Sequence, residues 1–257
     1  MSPTWQIYVY FLQTITLTPI YTIILLDFVV SQRKFRPFKG PYYRLMVSQG
    51  IADISAVTVY CSLLIARYYS IGNEFIYSLS PQSPIFYANS GPFLFVIRIV
   101  GVFLITLQRY LTVCRPHGVM NYHLHHCPPL LLALIHWSLG LLIYLPALLN
   151  SDAYFENSTS LFLMTSAQHA HAFSITVALS FITLGLTIIV MYSRIAVTMC
   201  VARKLSSNGK KPSRRSQDVR LTLHVFILIL FCVICFAFHL GEYILACDED
   251  VRPSEFI

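Results

Sequence analysis

The chain has 257 residues, of which 56% are hydrophobic and 11% charged, and its mean hydropathy is +0.64. Soluble domains carry about a quarter charged residues, so a water-soluble globule is excluded. The net charge of +7 is gathered in a few segments between apolar runs, which excludes a nucleic-acid-binding surface.

Six apolar runs are long enough for the roughly 20 residues that a helix needs to cross the hydrocarbon core. In chain order they cover about 7–30, 45–66, 85–111, 130–149, 172–197 and 221–246. The first has no basic stretch before it and is too long for a signal peptide, so it reads as a retained span. Prolines fall near span ends (Pro84, Pro128, Pro129, Pro146) or inside spans (Pro19, Pro92), placements that membrane helices tolerate. The expected fold is all-α, a transmembrane helical bundle forming one domain over residues 1–257.

Lysine and arginine counts orient the spans. The segment after span one holds Arg33, Lys34, Arg36, Lys39 and Arg44, and the end of span three brings Arg109 and Arg115. The segment around the end of span five and before span six holds Arg194, Arg203, Lys204, Lys210, Lys211, Arg214, Arg215 and Arg220. Fifteen cations therefore fall on one side, against Arg67 and Arg252 on the other. The expected topology puts the amino terminus and the Asn150–Gln168 loop outside. Asn157-Ser158-Thr159 in that loop is an N-x-S/T sequon, so Asn157 is a candidate glycan acceptor.

A charge within the hydrocarbon costs roughly 2.5–3.5 kcal/mol and persists when paired or facing a polar cavity. Asp53 lies in span two and Arg98 in span three, which runs the opposite way. At about 1.5 Å per residue, each sits roughly 15 Å from the basic boundary, so the two are expected to point into the bundle and pair. Arg67, Tyr68 and Tyr69 read as an interfacial anchor. His239 and Glu242 near the outer end of span six share a helix face, either as a ligand-facing patch or as an interfacial pair.

The remaining chemistry is sparse. His117, His123, His125 and His126 form a single cluster, which does not make a metal site, and the seven cysteines form no paired framework. No nucleophile triad or phosphate-binding loop is present, so neither an enzyme nor a cofactor is expected.

Span three ends in Leu107-Gln108-Arg109-Tyr110-Leu111-Thr112-Val113-Cys114-Arg115-Pro116, span two carries Ser48-Gln49-Gly50-Ile51-Ala52-Asp53, and span four carries Trp137. This ordered set resembles rhodopsin-like G-protein-coupled receptors. With Ile97–Leu104 running into Gln108-Arg109-Tyr110, it is most similar to the nematode serpentine chemoreceptors of the Srv class. The resemblance implies a plasma-membrane receptor that binds a small molecule outside and a heterotrimeric G protein inside. It places Arg109 and Tyr110 at the coupling face, with Arg115, Arg214 and Arg215 beside them. It also implies that the Arg98 guanidinium serves as a built-in counter-ion to Asp53, where relatives hold sodium. The chain departs from the family pattern in three ways. Gln108 replaces the acid of the triplet, no cysteine occupies the Asn150–Gln168 loop, and a seventh apolar run is missing, as in a truncated, divergent or incompletely predicted relative. The alternatives are a six-span channel or transporter, which would show repeats or broken helices, and a non-signalling receptor relative.

Overall fold

The computed structural model describes residues 5–34, 40–159 and 161–205. The chain divides into two compact units, Met1–Tyr192 and Ser193–Ile257. Span six lies outside the described residues.

The elements are α1 (Trp5–Lys34), α2 (Pro41–Tyr69), the short α3 (Asn73–Ser78), α4 (Gln82–Cys114), α5 (Val119–His126) and α6 (Pro129–Leu149). A hairpin of β1 (Ala153–Phe155) and β2 (Leu163–Thr165) follows, then α7 (Ala167–Leu205). Among the described residues, five helices (α1, α2, α4, α6 and α7) are long and apolar enough to cross a membrane. Each of α2, α4 and α7 continues beyond the apolar run that marks its span. An α-helix satisfies its own backbone, so it has no reason to stop at the edge of the hydrocarbon. Proline opens α2 at Pro41 and α6 at Pro129, where its missing N–H costs nothing.

Hydroxyls inside the helices follow the same constraint. Thr22, Thr58, Thr106, Ser180, Thr183 and Thr187 each donate to a carbonyl four residues earlier at 2.6–2.8 Å, as apolar surroundings require.

In the first unit α4 is the axial helix, packed against α2 and α6. Val96 and Val100 of α4 form a core with Tyr144 and Ala147 of α6, which Phe173, Val177 and Leu184 of α7 cover. Two glycines permit this closeness. A Cβ at Gly140 would lie 2.7 Å from Ile97 Cγ1 and 3.3 Å from Ile97 Cα. At Gly101 it would collide with Gln49 Oε1 and approach His136 Nε2 to 2.8 Å.

The hairpin is antiparallel, with Ala153 opposite Thr165 and Phe155 opposite Leu163. Its two strands have three residues each and were not legible as strands in the sequence. Phe155 and Leu161 are buried with Ala66 of α2, against Leu63, Ile76 and Tyr87. Leu161 has φ of 47°. That left-handed backbone costs a bulky residue about 1–2 kcal/mol, which burying the side chain offsets by a similar amount. The Arg67 guanidinium carbon lies 3.7 Å from the Phe162 ring centroid, and Asn73 Nδ2 donates to Ser158 O at 3.3 Å. These contacts fix the hairpin over one end of α2 and α4.

Gly101→Ala is expected to destabilise the protein by about 1–3 kcal/mol, because the imidazole it meets is held at both nitrogens. Thermal unfolding in detergent measures this, and an unchanged Tm would show that α4 and α6 have room to part.

Candidate functional site

Polar side chains meet at three levels along α4. At the middle level, Arg98 Nε lies 2.6 Å from Asp53 Oδ1. The approach is that of an ion pair rather than an aligned hydrogen bond, and Oδ1 has no hydrogen-bond donor among the described residues. On the other carboxylate oxygen, Tyr21 of α1 donates its hydroxyl to Asp53 Oδ2 at 3.0 Å. The pair therefore joins α1, α2 and α4. The Arg98 side chain is 51% exposed and that of Asp53 23%. The bundle thus encloses the carboxylate and leaves the guanidinium half open, whereas both were expected to point inward. The long arginine stem allows this, since it reaches the acid from the rim of the helix.

Beside this pair lies a network centred on His136, which is fully buried in α6. His136 Nε2 is 2.9 Å from Ile97 O, and Nδ1 is 2.8 Å from Ser48 Oγ. A carbonyl only accepts, so Nε2 carries the proton and Nδ1 accepts from the Ser48 hydroxyl. Trp137 Nε1 in turn donates to Ser48 Oγ at 3.2 Å. Each donor in the series from Trp137 through Ser48 and His136 to Ile97 thus has an acceptor, and the series binds α2, α4 and α6 together. Of these residues, the sequence singled out Trp137 and the segment containing Ser48. His136 is the one that was missed, and its signal was a lone imidazole within an apolar run, next to tryptophan. Further along, toward the hairpin, Tyr144 donates to Asn89 Oδ1 at 3.0 Å, and Asn89 Nδ2 donates to Ile85 O at 2.8 Å.

The third level is the carboxyl-terminal end of α4. Gln108 is 4% exposed, and its Nε2 donates to Thr112 Oγ1 at 3.0 Å. Arg109 stacks on Tyr42 at the start of α2, with its guanidinium carbon 4.0 Å from the ring centroid. Arg109 Nε is enclosed and has no hydrogen-bond partner among the described residues. Tyr110 is half-buried, and Arg115 is exposed as the residue that ends α4. Arg44 Nη1 donates to Cys127 O at 2.6 Å, tying the start of α2 to the entrance of α6. Arg214, Arg215, His239 and Glu242 lie outside the described residues. Asn157 is exposed in the hairpin loop, where its Oδ1 accepts from Thr159 N at 3.2 Å and from Thr159 Oγ1 at 3.0 Å.

The contact between Asp53 and Arg98 joins α2 to α4, as counting residues along spans two and three led us to expect. A family model, serpentine type 7TM GPCR chemoreceptor Srv, matches residues 10–257. The chain belongs to that family. No curated protein matches it. As an Srv chemoreceptor it is a multi-pass membrane protein and not an enzyme. The long apolar helices of the structure accord with that class.

Two outcomes are expected from this geometry. Asp53→Arg and Arg98→Asp should each lower folding yield, because each leaves two like charges at mid-depth. The double variant should recover at least half of the loss, measured as properly folded protein by size-exclusion chromatography. Absence of recovery would show that the two side chains do not depend on each other. His136→Phe should cost about 1–3 kcal/mol, since it leaves the buried Ser48 hydroxyl without its acceptor, and thermal unfolding reads the loss. Ser48→Ala made in the His136→Phe background should cost less than Ser48→Ala alone, because the bond to His136 is already gone and only the Trp137 contact remains to be lost.

Proposed function

We propose that this Srv-family chain is a chemosensory receptor in the plasma membrane, with its amino terminus outside. In this reading it detects an external small molecule and signals to a heterotrimeric G protein. The family match over residues 10–257 carries the reading. The basic segments, with Arg44, Arg109 and Arg115 near helix ends, Arg203 and Lys204 in the last turn of α7 and further cations in the sequence up to Arg220, support the orientation through the positive-inside rule.

Within this reading, Arg109, Tyr110 and Arg115 contribute to the coupling face together with Arg214 and Arg215. The basic segment also lies against anionic lipid, each cation gaining about 1 kcal/mol near the surface. His239 and Glu242 face the ligand at the outer side, and Asn157 accepts a glycan. Asp53 and Arg98 form a built-in charge pair that occupies the place of a bound cation. Ligand acts by shifting the population between a resting and a coupling form.

The test is a ligand-evoked second-messenger response in cells expressing the chain, recorded together with membrane current. A response without steady-state current is expected, and Arg109→Ala should reduce it at least about tenfold by removing a charged contact. A current that persists in Arg109→Ala and needs no G protein would replace the receptor with a channel.

A further inference from the structure

We infer that Tyr42 is the residue that positions Arg109, holding its guanidinium against α2 in the resting form. This rests on the receptor reading proposed above, in which Arg109 belongs to the coupling face.

The neighbouring residue cannot hold Arg109 by charge. Gln108 is neutral, and its amide nitrogen is already committed to Thr112. Among the described residues the one ion pair is Asp53–Arg98, which does not involve Arg109. Arg109 Nε is shut away from solvent and has no acceptor among the described residues. What faces the guanidinium is the Tyr42 ring, 4.0 Å from centroid to Cζ, well within the range in which an aromatic face attracts a cation.

The ring is itself held in place. Tyr42 meets Tyr43 edge-on at 5.1 Å between centroids, and Tyr43 stands 6.2 Å from Phe28 of α1. Tyr42 is the second residue of α2, whose first turn is fixed by Pro41 and by the bond from Arg44 to Cys127 O. The start of α2 therefore presents a braced aromatic face to the Arg109 guanidinium. A ring face attracts a cation over a broad area and needs no aligned donor. The hold is therefore weaker and less directional than a carboxylate fork, and it releases Arg109 when α4 shifts or a partner offers acceptors. The structural alternative is that Tyr42 merely fills space at the start of α2. The ring itself, as distinct from its volume, separates the two.

The experiment uses the full chain in phosphatidylcholine vesicles with a purified G-protein heterotrimer, and reads ligand-free GTPγS binding. Tyr42→Leu is expected to raise this basal exchange about threefold or more, the loss of a modest cation–π contact, whereas Tyr42→Phe, which keeps the ring, stays near the wild-type rate. Thermal unfolding of Tyr42→Leu, Arg109→Gln and the double variant gives a readout independent of signalling. Coupled Tm losses, with the double variant no worse than the weaker single one, support the contact. Additive losses overturn it. Basal exchange in Tyr42→Leu that is unchanged or lower, beside an active wild type, overturns the positioning role. Coupled Tm losses with no exchange in any variant would instead remove the receptor reading, and the positioning role with it.

Discussion

Hydrocarbon offers no hydrogen bonds, so each polar group carried into it must bring or find a partner. The Trp137–Ser48–His136–Ile97 series answers that demand across three helices at once. Its last acceptor is a backbone carbonyl of α4, so the series ties α2 and α6 to a fixed point on the axial helix and not to a movable side chain. Gly101 supplies the gap in which His136 and Gln49 lie against that helix. The rotations of α2 and α6 about α4 follow from these few contacts, and the apolar core of Val96, Val100, Tyr144 and Ala147 completes what they begin.

The charge pair beside it follows from the same demand. With α2 turned so that Ser48 meets His136, Asp53 comes round toward Arg98 and the Tyr21 hydroxyl. The carboxylate is thereby given a cation on one oxygen and a donor on the other. At the end of α4 the solution differs. Gln108 turns inward to Thr112, and Arg109 rests on an aromatic face. One helix therefore carries two arginines under contrasting restraint, one bound to an acid at mid-depth and one held by a ring at its end.

Much of this was legible in the sequence wherever period and depth alone decide it. The apolar runs gave the five described long helices. Counting residues from the basic boundary put Asp53 and Arg98 at one level, and they stand 2.6 Å apart. Contacts between distant residues were harder to read. His136 finds Ser48 at 88 residues' separation and Ile97 at 39, and no local pattern announces such a meeting. The same holds for Tyr42 beneath Arg109. The half-open setting of Arg98 also escaped the sequence, because helical spacing fixes where a Cα lies but not how far a long side chain reaches. The hairpin was missed for a local reason. Its strands are short, and the buried Leu161 that anchors them sits outside either strand.

That anchor has a consequence of its own. The segment between α6 and α7 contains no cysteine, and it is held by apolar burial, by Arg67 on Phe162 and by an amide bond from Asn73. Its closure is thus indifferent to thiol–disulfide poise. A reductant that would unfasten a cystine-bound loop leaves these contacts untouched.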